Sequence, residues 1–178
     1  ADEQGGQAEV DITQGWVELP GAFEEARLPL TAMTAQVNWR IKASSRKGAP
    51  SDLQVGVTRA TFANDDAAGQ LNAHWQTGPG TGTGVQARFP GRLNMDGKLV
   101  WAEANRVWRY LPSMIPFDAR DYVRMAVREG RGENVKFEVQ GDLAEFPFQG
   151  DVGGRFRVHV PVKKVTLDYV PVDMLGKG

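Results

Sequence analysis

The sequence predicts a mainly β fold: a long, curved antiparallel sheet forming a half-open groove, with a helical pair inserted around residues 104–130. Three observations carry this. Apolar and polar residues alternate strictly in at least eight segments, the period-two mark of strands with one dry and one wet face. Gly and Pro, 21 and 10 of 178 residues, are abundant enough for many turns. Only one stretch has helical spacing. A parallel sheet covered on both faces would instead show continuous apolar runs.

In the first strand Val10 and Ile12 oppose Asp11 and Thr13, and Gly15 is expected to bend the chain before Trp16 to Leu19. Ala35, Val37, Trp39 and Ile41 alternate with Gln36, Asn38, Arg40 and Lys42 in the next. Leu53, Val55 and Val57 mark a third strand, and Leu71, Ala73 and Trp75 a fourth. Between them Asn64, Asp65 and Asp66 supply the residue types of a tight turn. The run from Gly78 to Gly84 has glycine at every second position. It lacks the Gly-Lys-Ser/Thr ending of a phosphate loop and leads into extended sequence, so it predicts a flexible connection. Leu93, Met95 and Leu99 continue the alternation.

In the helical region, Asn105 to Leu111 predicts a short helix with Val107, Trp108 and Leu111 inward, stopped by Pro112. Asp118 predicts the cap of a second helix carrying Tyr122, Met125 and Ala126, with Gly130 as its C′ residue. Val135, Phe137 and Val139 against Lys136, Glu138 and Gln140 form the cleanest alternation, extending to Leu143. Phe156, Val158 and Val160 alternate with Arg155, Arg157 and His159. Val165, Leu167 and Tyr169 resume on the other parity after Lys163 and Lys164, which predicts a turn or bulge. A Gly-x-large unit recurs at Gly69, Gly91, Gly97, Gly141 and Gly154, as a strongly bent sheet requires.

The length of 178 residues supports a single β-rich unit, read as a segment excised from a much longer chain because no targeting or anchoring pattern accompanies it. The absence of Cys excludes disulfides, Cys-ligated metals and thiol nucleophiles. A formal net charge of -1 gives no global field to attract nucleic acid. The two histidines, His74 and His159, have no metal-binding spacing, no serine has a Gly-x-Ser-x-Gly context, and Asp65-Asp66 fits a turn. The expectation is a non-enzymatic protein with no catalytic, cofactor or metal residues.

Two sets of residues are candidates for binding. The apolar strand faces supply Val55, Val57, Trp75, Leu99, Trp101, Val135, Phe137, Val139, Phe156 and Val158, which could line a groove for acyl chains or fill a packed core. Arg120, Arg124 and Arg128 recur every four residues on the predicted helix, a basic stripe suited to an acidic partner or to a solvated face.

Gly97-Lys-Leu99-Val-Trp101, Tyr110-Leu111-Pro112, the helix ending in Arg128-Glu129-Gly130, and Gly141-Asp-Leu143-Ala-Glu-Phe146-Pro147-Phe148 together resemble the central domain of the YhdP family, AsmA-like proteins related to TamB. Ala63-Asn-Asp65 before Gly69-Gln-Leu71, Gly154-Arg-Phe156 and Leu167-Asp-Tyr169-Val-Pro171 extend the resemblance over Thr58 to Pro171. The resemblance implies a bacterial envelope protein anchored in the inner membrane by a segment absent here. Its curved sheet would make an apolar groove across the periplasm for moving phospholipid toward the outer membrane. Phospholipid acyl chains and an envelope protein are then the expected partners. A structural or protein-interaction module docking through the arginine stripe is the alternative.

Overall fold

The computed structural model describes residues 3–18, 21, 23–44, 50–78, 88–113, 117–146, 148 and 153–167. Eight strands follow in order: β1 (Glu3–Glu18), β2 (Arg27–Lys42), β3 (Asp52–Ala63), β4 (Ala67–Gln76), β5 (Arg92–Glu103), β6 (Val127–Asp142), β7 (Gly154–His159) and β8 (Val162–Leu167). They form one antiparallel sheet in sequence order from β1 to β7, and it does not close into a barrel. β7 and β8 lie end to end along β6: β7 pairs with Lys136–Gly141 and β8 with Val127–Gly132. Val160 and Pro161 fall between them, and the break predicted after Lys163 and Lys164 is a bulge in β8, where Lys164 and Val165 stand against Gly130 alone.

Because every neighbour is antiparallel and register holds across the sheet, the alternation of each strand becomes rungs crossing all of them. One rung runs Ala8, Val37, Val57, Ala73, Met95, Val139, Phe156. The next apolar rung runs Gly6, Trp39, Val55, Trp75, Leu93, Gly141, Gly154. Between them lies Gln7, Asn38, Gly56, His74, Asn94, Gln140, Arg155, with no apolar side chain. Alternation sends adjacent rungs to opposite faces, so one face is apolar and the other polar.

Irregularities bend the sheet along its middle. Arg59 takes φ 51 where β3 carries extra residues against both neighbours, and its N–H donates to Asn72 Oδ1 at 3.1 Å. Asn134 takes φ 55 and Gln14 φ 53, and β5 carries an extra residue, Val100, opposite the Ala68/Gly69 step. Such bulges raise local twist and curve the strand. Ala60 beside the first bulge is 1% exposed, a sign of how closely the bent sheet closes around it. β1 continues unbroken through Gly15, contrary to the expected bend, with the departure from extended geometry at Gln14 instead.

The insertion begins with a 3₁₀ helix at Ala104–Tyr110, ending before Pro112 as expected. The following helix, α1, spans Phe117–Ala126, and β6 starts at once with Val127. The expectation of a helix reaching Gly130 is therefore corrected: Gly130 lies inside β6 with φ 128. Pairing of Val127–Gly132 with β8 supplies the interstrand bonds that propensity alone could not foresee. Leu143 likewise leaves the strand and opens a 3₁₀ turn, Leu143–Glu145, capped by Asp142. That turn brings Phe146 and Phe148 over Val139 in a small core with Leu93, Met95 and Leu143. Phe148 rests on Gly141 and Gly154, where a Cβ would approach its ring to 2.9 and 2.4 Å. Most of the Gly78–Gly84 run, together with Tyr169 and Pro171, lies outside the described residues.

Gly97 serves the same purpose in the sheet centre. A Cβ there would fall 2.3 Å from Phe137 Cζ and 2.7 Å from the Gln70 carbonyl, so the ring lies across the glycine. Gly97→Val is expected to lower stability by about 1–3 kcal/mol through overpacking. Urea unfolding should show a lower midpoint with an unchanged slope.

Candidate functional site

The apolar face is covered unevenly. Val135 and Val139 are buried, whereas Val55, Val57, Trp75, Leu99, Trp101 and Phe137 are half-buried. Toward the two edges exposure rises: Trp39 is 39% exposed on β2, and Phe156 and Val158 are 40% and 49% exposed on β7. The predicted groove residues share the sheet but not one enclosed space. Trp75 donates from its indole N–H to the Pro90 carbonyl at 2.8 Å and stacks on Phe89, closing one end of the face. Trp101 sits past the Val100 bulge with the Arg131 guanidinium 4.2 Å from its ring centroid. Trp39, absent from the predicted set, occupies the same rung as Val55 and Trp75, and its place in the β2 alternation is the signal that finds it.

An open concavity of about 1060 Å³ crosses the middle of β3 to β7. Of the predicted groove residues, Phe137, Phe156 and Val158 line it. Strands β3 to β6 contribute triplets such as Asp96, Gly97, Lys98 and Lys136, Phe137, Glu138. The two outer members of each triplet share one side of the sheet, and with the exception of β3's own irregular stretch at Arg59 they belong to polar rungs. The concavity therefore mixes polar side chains such as Lys98, Lys136 and His159 with the apolar Leu71, Phe137, Phe156 and Val158. Lys98 lies directly opposite Lys136, and Lys136 opposite His159. Like charges placed as those of Lys98 and Lys136 cost on the order of 0.2–1 kcal/mol.

The arginine stripe does not form as expected. Arg128 is on β6 rather than on the helix. Arg120, 13% exposed in its side chain, reaches Glu24 at 3.0 Å. Arg124 lies 5.4 Å from the Trp108 ring centroid and 3.7 Å from Asp121. Two of the three thus hold the insertion to itself and to the segment joining β1 and β2.

A second polar cluster anchors the same insertion. Asn64 Oδ1 accepts from the N–H groups of Asp66 and Ala67, both at 2.9 Å, making the predicted turn. Asp66 is then buried at 6% exposure and accepts from the Tyr110 hydroxyl at 2.9 Å and from Arg109. Arg109 also donates to both oxygens of Glu25, at 3.0 and 2.6 Å. The turn composition shows why Asn64 is there but not that Asp66 faces inward, since its partners lie more than forty residues away. Hydrogen bonding from Arg109 holds the Glu25 carboxyl below its usual range, and the same contact raises the already high Arg109 value. Burial pushes the Tyr110 hydroxyl up to about 12, reinforced by its bond to Asp66.

Among the described residues, no group of three or more His, Asp and Glu side chains is arranged to hold a metal ion, and no helix is long and apolar enough to cross a membrane. The open antiparallel sheet with one apolar and one polar face defines the class: a mainly β-sheet protein. A family model described as YhdP protein matches residues 1–172. The chain belongs to the YhdP family, and membership points to an envelope protein of the AsmA-like group. No curated protein and no solved structure matches it significantly.

The Tyr110 shift has a definite pH consequence. With a raised folded value, its contribution is complete below about pH 10 and is lost as pH rises through about 12. Tyr110→Phe should flatten the fall in thermal midpoint over that window while lowering the neutral-pH baseline by about 1 kcal/mol. Asp66→Ala leaves Arg109 and Tyr110 short of a partner and should cost about 2–4 kcal/mol, measured by urea unfolding at pH 7.

Proposed function

We propose that this chain is a non-enzymatic lipid-binding segment of a periplasmic protein whose parent is anchored in the inner membrane. Its role in this reading is phospholipid transfer toward the outer membrane and envelope integrity. One observation supports it above all others: apolar rungs run unbroken from β1 to β7 while their members at Trp39, Phe156 and Val158 stay 39–49% exposed. A dry face of that breadth, covered among the described residues only locally by Phe146 and Phe148, needs an apolar occupant. Acyl chains suit it, each CH₂ gaining about 0.8 kcal/mol on burial. Contacts with such chains are unspecific along a face, so capture and passage along the rungs require no reactive side chain.

Family membership agrees with this reading at the level of an envelope protein. The alternative, a protein-interaction module docking an acidic partner through Arg120, Arg124 and Arg128, has less support. Arg128 is off the helix and Arg120 is engaged by Glu24.

Photo-crosslinking from Phe137 or Phe156 in bacterial envelopes should recover phospholipid. Native mass spectrometry of the purified chain should retain it. Trp39→Glu combined with Val158→Glu, both at exposed positions, should reduce retained lipid at least fivefold with the thermal midpoint little changed. Equal retention by the double variant, or recovery of protein crosslinks alone, would remove the basis for the proposal.

A further inference from the structure

The polar face carries a feature that acyl-chain binding does not use. One rung runs Thr34, Thr61, Gln70, Lys98, Lys136, His159 across β2 to β7. On β1 the rung begins with Asp11, opposite Thr34, but from β3 to β7 it holds no carboxylate, and three neighbouring strands end it with two lysines and a histidine directly opposite one another. Among the described residues, neither Lys98 nor Lys136 has a carboxylate oxygen within ion-pair distance, although many other basic side chains of the sheet and insertion do. The nearest acidic rung holds Asp96 and Glu138, and Glu138 is drawn the other way, toward Arg155 at 3.6 Å.

The same residues line the 1060 Å³ concavity, where Gln70 and Thr61 add uncharged donors beside the lysines. Two ammonium groups held on adjacent strands, with donor groups around them and open space in front, suit an oxyanion with several acceptor oxygens. Such an anion would also remove the repulsion that the register imposes.

We propose that Lys98, Lys136 and His159, with Gln70 and Thr61 beside them, form a binding site for a phosphate-class oxyanion on the polar face. The site shares its concavity with Phe137, Phe156 and Val158, yet its basic and donor groups do not depend on acyl-chain capture. A phospholipid headgroup and free phosphate present the same chemistry to it.

The test is a titration of the full 178-residue chain, followed by amide chemical shifts, with inorganic phosphate in one arm and dihexanoyl phosphatidic acid below its micellar concentration in the other. The expected result is saturable shifts at Lys98, Lys136 and His159, weakened at least fivefold in Lys98→Gln/Lys136→Gln. That variant should fold as stably as the wild type or better, since it relieves a like-charge pair. Site shifts with inorganic phosphate mean that the anion alone is recognised; site shifts only with the lipid mean a headgroup site. Absence of shifts at these residues in both arms, or equal affinity in the double variant, overturns the proposal. A neutral alkyl glucoside titrated against the double variant reports the apolar face separately, so failure of one site does not imply failure of the other.

Discussion

Everything in this structure depends on register. Side chains in a strand alternate with a period of two, so a slip of one residue in any pairing would move a whole strand's apolar set to the polar face. Seven strands keep their alternation in phase from Ala8 to Phe156. The bulges at Arg59 and Val100 are tolerated because the apolar sequence resumes in phase beyond them, as in Ala60 opposite Leu71 and Leu99 opposite Gly69. Two faces of opposite character therefore exist because local sequence and long-range pairing agree at every strand.

The insertion is attached by a different kind of force. It packs few buried apolar residues, and among its described residues only Ala126 is nearly inaccessible. Charged and aromatic contacts compensate. Arg109 bridges Glu25 and Asp66, Arg120 reaches Glu24, and Arg124 covers Trp108. Several of these join the insertion to the turn between β3 and β4 and to the segment between β1 and β2, so it binds together the ends of four strands. Exposed ion pairs contribute little singly. A network centred on a buried carboxylate is worth more, because every member loses solvation if one leaves.

Most strands were legible from alternation alone, since period two survives whichever partner a strand meets. Val135 to Gln140 and Ala35 to Lys42 illustrate this. The helix end was not legible. Tyr122, Met125 and Ala126 keep helical spacing, and a glycine follows at the position of a C-cap, yet β8 claims Val127 to Gly132 from thirty to forty residues downstream. Nor could alternation say which apolar side chains share an enclosure: Trp101, Val135 and Phe156 have the same strand signature and three different environments. The lysine rung was equally hidden. Lys98 and Lys136 are unremarkable separately and become neighbours only through pairing.

The two sides of the sheet differ in what another chain could do with them. On one, β1 presents sixteen residues of extended backbone whose outward N–H and C=O groups have no strand beyond them among the described residues. On the other, β6 is shared between two six-residue strands separated by Val160 and Pro161, and proline cannot donate to a ladder. Interrupted, short margins resist templating, whereas long continuous ones invite it. The two margins of the sheet thus differ in kind: one long and continuous, the other short and broken at a proline.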